Sequence, residues 1–164
     1  MRRIAFFAGL FLTTLSTLTL ETLDTRLLSV LAWYHLSFFA VSLAMLGMAA
    51  GAVAVYLGGA AFEGEAAPGA MARHSMLLAL SIPLSHLVTI SIPIMDAVST
   101  NGVLTLSLTA VALGVPFYFS GVVVTTALTR GPGPIGLVYA VDLVGAALGS
   151  LLLFPLLRLD NITS

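Results

Sequence analysis

Thr14, Thr17, Glu21, Asp24 and Thr25 recur at short helical steps near the start of the chain. On a helix advancing about 100° per residue they fall within an arc of roughly 100°, with Thr13 at its edge. The result is a polar stripe that ends in two carboxylates. Such a stripe attracts cations, and its chemistry would be a proton relay or the binding of an amine. In the plainer reading, Glu21 and Asp24 lie hydrated and inert near an interface. Arg26 is placed to pair with a carboxylate on a neighbouring segment.

Asp142 is a second candidate. It lies about six residues, or roughly 9 Å, into an apolar segment, with Gly145, Ala146 and Gly149 on its face. Small residues admit a second helix closely, so Asp142 is expected at a helix–helix contact, as an interhelical hydrogen-bond partner or as a proton or cation site. His86 stands in Ser81-Ile-Pro-Leu-Ser-His86. One histidine is no metal site, which takes several ligands, and a packed, hydrogen-bonded ring is the simpler expectation. His35, beside Trp33 and Tyr34, reads as part of an interfacial aromatic belt.

The chemistry stops there. The chain has no cysteine, which excludes disulfides, thiolate metal sites and cysteine nucleophiles. It carries no Gly-rich phosphate loop between a strand and a helix, no GxSxG and no HExxH. Glu21, Asp24, His35, His86, Asp96 and Asp142 include no nucleophile with an adjacent base. No catalytic residue, metal or cofactor is expected, and a net charge of −1 argues against a nucleic-acid partner.

The elements that must position these groups are helices in lipid. Of 164 residues, 59% are hydrophobic and 8% charged, with a mean hydropathy of +1.11. Soluble domains carry about 25% charged residues. Five apolar stretches reach the length of roughly 18 or more residues that spans a bilayer: about 4–31, 34–57, 75–95, 103–129 and 137–157. This predicts an all-α polytopic bundle forming one transmembrane domain over residues 1–164, its first partner the lipid bilayer. The segment after Met1-Arg-Arg3 lacks a small-x-small cleavage site and reads as an uncleaved first span.

Connectors are expected at 58–74, at 96–102 (where Asn101-Gly102 signals a turn) and at 130–136, where two prolines forbid a helix. Pro83, Pro93 and Pro116 predict kinks or breaks inside spans. The steps Gly47–Gly51 and Gly145–Gly149 predict close helix packing. All six basic residues are Arg, in a chain rich in Ala, Gly and Leu, which fits a GC-rich bacterial genome. Arg2, Arg3, Arg73 and Arg130 share one side if the N-terminus is cytoplasmic, so an inner-membrane, N-in and C-out topology is expected. Asn161-Ile-Thr163 matches a glycosylation sequon by chance.

Three segments carry a family resemblance. Ile135–Ser150, with Tyr139-Ala-Val-Asp142 followed by Gly145-Ala-Ala-Leu-Gly149, resembles the Tyr-Ala-Ala-Asp/Asn-x-x-Gly-Ala-x-x-Gly helix of membrane-fused spermidine synthase-like proteins. Glu21, Arg26, Gly47 and Gly51 resemble that family's first two helices, and Gly114-Val-Pro-Phe117 its Gly-x-Pro-Phe stretch. Leu137 stands where the family often has Arg. The resemblance implies a multi-pass membrane region joined to an aminopropyltransferase-like Rossmann domain, and so further helices and a soluble domain beyond Ser164. The chain is expected to be a fragment or a split membrane subunit, and no synthase catalytic residue carries over.

Three functions follow. The first is a membrane module that anchors a synthase-like domain or handles a cationic, polyamine-like solute, with Glu21, Asp24, Asp142 and His86 as the binding residues. The second is a small transporter or permease subunit working as a homo-oligomer, using Asp142 and the proline-containing spans. The third is a non-catalytic assembly or anchoring subunit whose acids only lock helices together.

Overall fold

Lipid offers no hydrogen-bond partner, so an apolar chain crossing it must satisfy every peptide group internally, and a helix does this within one segment. The computed structural model describes residues 2–31, 36–92 and 100–160; the side chains of 2, 30, 31, 36, 37, 154 and 156–160 are outside the description. The described chain folds into α1 (Arg2–Leu31), α2 (Leu36–Gly58), α3 (Ala66–Ser91), α4 (Thr100–Arg130) and α5 (Ile135–Asp160), with a single 3-10 turn at Gly59–Phe62. All five helices are long and apolar enough to cross a membrane. Their outer faces carry large exposed apolar side chains, including Phe38, Met45, Tyr56, Leu84, Leu87 and Leu151. Soluble monomers seldom expose apolar surface on this scale.

Two boundaries differ from the sequence expectation. The connector placed at 58–74 is short, because α3 begins at Ala66 and not near Ser75. Pro68 falls in the first helical turn, where a missing N–H breaks no helical bond. The turn is made instead by Gly59 and Gly64, whose φ angles of +44° and +53° suit only glycine readily. Asn101 and Gly102, expected as a turn, lie in the first turn of α4; the N–H groups there have no intrahelical acceptor to lose. Helix α3 runs on through Pro83 and α4 through Pro116. Pro93 and Asp96 lie outside the described residues. The non-helical connector at 131–134 is present, and Gly131 N–H closes α4 on the Ala127 carbonyl at 2.9 Å.

Helix α4 is the central element, packed against α2 and α3 and also touching α1 and α5. Its Ser120, Val122, Thr126 and Ala127 have no exposed surface. Glycine sets two of the contacts. A methyl at Gly47 would stand 2.7 Å from the Gly114 carbonyl oxygen, and one at Gly51 would meet the backbone of Tyr118 and Val122. Gly121 of α4 likewise faces the Met48 backbone. On the other side of the molecule, Gly145 meets Thr14 and the Phe11 carbonyl, and Gly149 meets the Leu15 backbone. Residue numbers rise together in both contacts, so α2 runs parallel to α4 and α1 parallel to α5.

The ends of the bundle follow from this alternation. The start of α1, the Gly59–Glu65 connector and the α4–α5 connector share one end. There Phe6 and Phe7 lie against Gly131 and Gly133, and Arg130 Nη2 bonds Glu63 Oε1 at 2.6 Å. Three apolar clusters fill the seam between α1 and its neighbours: Leu10, Val124, Ala127 and Val138; Leu20, Ala44 and Phe117; Leu28, Ala40, Leu43 and Leu113.

Candidate functional site

Helical spacing turns Thr13, Thr14, Thr17, Leu20, Asp24 and Leu28 of α1 to the interior, and all six are buried. Glu21 and Thr25 lie beside them, half-buried. Most of the threonines are spent on their own helix. Thr14 Oγ1 reaches the Phe11 carbonyl at 3.2 Å, Thr22 the Leu18 carbonyl at 2.7 Å and Thr25 the Thr22 carbonyl at 2.8 Å. Back-bonded hydroxyls of this kind present little chemistry to a neighbour.

Two hydroxyls reach across helices. Thr19 Oγ1 lies 2.8 Å from the Leu15 carbonyl and 3.0 Å from the Gly149 carbonyl of α5. Thr17 Oγ1 lies 2.7 Å from the Thr13 carbonyl and 2.6 Å from Ser120 Oγ of α4. A carbonyl only accepts. The Thr17 proton therefore goes to Thr13, and Ser120 donates to Thr17.

One helical turn beyond Leu20 stands Asp24, with 2% of its side chain exposed. Its Oδ1 lies 3.2 Å from Nε2 of His86 on α3, while the His86 side chain is 20% exposed. The approach is close enough for an ion pair but off the line of a hydrogen bond, and neither Asp24 oxygen has an aligned donor among the described residues. The other ring nitrogen, Nδ1, lies 2.9 Å from the Ile82 carbonyl, an acceptor only. The ring thus stands between two acceptors, and a neutral imidazole has a single N–H to offer. With that hydrogen on Nδ1, a bare Nε2 stands 3.2 Å from an ionised Asp24; with it on Nε2, a bare Nδ1 stands against the Ile82 carbonyl. Both contacts are attractive together only with one further proton on the pair, as imidazolium and carboxylate or as imidazole and carboxylic acid.

The remaining candidates divide. Glu21 precedes Asp24 by one turn and makes no hydrogen bond or ion pair among the described residues. Asp142 is half-buried in α5, also without a polar partner among the described residues. The parallel packing of α1 and α5 sets Asp142 beside the Phe7–Phe11 turn, about 20 Å along α1 from Asp24 at 1.5 Å per residue. Asp24 and His86 are brought together, with Glu21 one turn earlier on α1; Asp142 is not part of this cluster. His35, Trp33 and Tyr34 lie outside the described residues. His74, placed in a connector by sequence, is in α3, with Nδ1 2.7 Å from the Ala70 carbonyl and its ring near Phe62 and Phe119. Among the described residues no group of three His, Cys, Asp or Glu stands close enough to hold a metal.

Sequence reasoning missed the Asp24–His86 contact and the part taken by Ser120. Both partners lie on other helices far along the chain, and no local spacing signals such a meeting. No family model, curated protein or solved structure matches the chain.

Proposed function

We propose that the chain is a multi-pass module of the bacterial inner membrane that handles a proton or a cationic, polyamine-like solute at Glu21, Asp24 and His86. This is the role implied by its resemblance to the membrane region of spermidine synthase-like proteins, where it would serve or anchor a synthase-like domain. One observation carries the reading. Asp24 is 2% exposed, inside a helix of membrane-spanning length, with no aligned donor on either oxygen among the described residues. An ionisable group in that position costs a few kcal/mol or more and faces a partner or an ion path. A site of this kind works by charge and proton exchange, and needs no nucleophile.

Arg3, Arg73 and Arg130 gather at the end that holds the start of α1. By the positive-inside rule that end faces the cytoplasm, and the Asp24–His86 pair lies toward the opposite face.

A second reading, an assembly or anchoring subunit, is favoured by the backbone contacts of Gly51, Gly121, Gly145 and Gly149. Reconstitution separates the two. Liposomes holding the full chain are loaded with a pH-sensitive dye, or supplied with labelled spermidine, and flux is compared with that of Asp24→Asn and Asp142→Asn. The expected result is a flux lowered at least about tenfold in Asp24→Asn, equivalent to about 1.4 kcal/mol, and largely kept in Asp142→Asn. No flux from the unaltered chain, with protein abundance falling in both variants, favours the anchoring subunit.

A further inference from the structure

The five helices fall into two glycine-locked groups. In one, α1 and α5 meet through Gly145 and Gly149; in the other, α2 and α4 meet through Gly47, Gly51 and Gly121, with α3 packed on α4. Apolar clusters fill much of the seam between the groups, and Thr17–Ser120 and Asp24–His86 cross it. These two contacts differ in kind. Thr17–Ser120 joins neutral hydroxyls and holds at any ordinary pH. Asp24–His86 joins α1 to α3, helices that scarcely approach each other elsewhere, and its sign depends on a proton.

We infer that Asp24 Oδ1 and His86 Nε2 form a proton-binding site that clasps α1 to α3, so that loss of the shared proton releases this end of the seam. The inference deepens the proposed function, because it assigns a regulation to the same pair, and it stands whether or not a solute crosses. Moving the single ring hydrogen from Nδ1 to Nε2 would set a bare Nδ1 against the Ile82 carbonyl, so either tautomer of the neutral ring leaves one repulsive contact. Once deprotonated, the pair sets a bare nitrogen against one of these two acceptors, and the carboxylate is 2% exposed with no other donor among the described residues. Separation, which admits water or a solute cation to Asp24, removes that cost.

Among the described residues, other ionisable groups near the pair are few; His35 and Asp96 lie outside them. Helix α1 contributes half-buried Glu21 and exposed Arg26. The described parts of α2 and α4 bring no acid or histidine, and Arg130 of α4 is at the far end. In α3, His74 and Arg73 are likewise toward the far end, as is Asp142 in α5. The side chains of Arg158 and Asp160 are outside the described set.

The absence of native cysteine makes the test direct. Spin labels are placed on the full chain in nanodiscs at Leu23→Cys of α1 and Leu87→Cys of α3, both exposed at 38% and 63%. The distance between them is measured at about pH 5 and about pH 9, which bracket ordinary imidazole titration. The expected result is a longer distance at the higher pH. Asp24→Asn donates an amide N–H to the bare Nε2, and His86→Gln donates one to an ionised Asp24. Each is expected to hold the short distance at both pH values, whereas Asp24→Ala gives the long distance at both. Asp142→Asn, outside this cluster, is expected to keep the pH response. An invariant distance in the unaltered chain overturns the inference, as does a pH response that survives in Asp24→Asn and His86→Gln. Flux measured on the same samples tests the proposed function separately, so either can fail alone.

Discussion

Hydroxyl groups on α1 divide by where their protons go. Thr14, Thr22 and Thr25 return theirs to their own helix, so replacing any of them with Val removes a local bond and little else. Thr17 is different because it accepts from Ser120, which has no exposed surface and no water to turn to. Thr17→Val leaves Ser120 buried without that acceptor, at an expected cost of about 1–3 kcal/mol. A cycle with Ser120→Ala, read by unfolding in mixed micelles, is expected to give a coupling of about 0.6 kcal/mol, the average for hydrogen bonds between membrane helices, and no more than about 1.7 kcal/mol. A coupling near zero would mean that the two hydroxyls do not depend on each other. Asp142 invites the opposite expectation. It has no polar partner among the described residues, so Asp142→Asn should leave stability nearly unchanged in the same assay.

The helices of this chain are held by approach of backbone to backbone. Lipid tails are as apolar as leucine, so association in the membrane depends on close packing, and small residues permit it. A methyl at Gly51 or Gly149 meets main-chain atoms of the neighbouring helix, which cannot rotate away. Gly51→Ala and Gly149→Ala are each expected to destabilise by about 1–3 kcal/mol, the range for an overfilled core. Gly9 and Gly69 lie in helices with nothing near a new methyl, and alanine there should be neutral or mildly stabilising. Mixed-micelle unfolding of the four variants checks the contrast; equal effects at all four would show that helix propensity, and not contact, is what is measured. Sequence spacing already marked Gly47–Gly51 and Gly145–Gly149 as packing steps. It held no information on the partner helices, because both segments are apolar nearly all the way round.

At the scale of the molecule, the arrangement is two parallel, glycine-locked pairs with α3 packed on α4, and the charges sort by end. Arg3, Arg73 and the Glu63–Arg130 pair mark one end, and the Asp24–His86 pair lies toward the other. Glu63 and Arg130 are about half exposed, so their pairing contributes at most about 1 kcal/mol. Arg130→Gln should therefore leave stability almost unchanged while reducing the positive bias of that end. The topology is testable with single cysteines. In intact cells, a membrane-impermeant thiol reagent is expected to label Thr100→Cys from outside, and to reach Glu65→Cys only after the membrane is opened. The reverse pattern would invert the proposed orientation and turn the Asp24–His86 face inward.

The amino-acid sequence by itself determined that this chain is a bundle of five apolar helices with a carboxylate stripe on the first and glycine steps on the second and fifth. These are properties of single segments, set by the demand that backbone polar groups be satisfied locally and by the helical period. Even so, the start of α3 was hidden, since glycines, acids and Pro68 read as a connector although a helix accepts proline in its first turn. Tertiary structure alone decided that Asp24 meets His86, that Thr17 meets Ser120, and that Asp142 is placed elsewhere. The physical reason is that near-uniform apolarity leaves helix register and choice of neighbour to the close fit of small residues, which is a property of pairs of helices and is written in neither one.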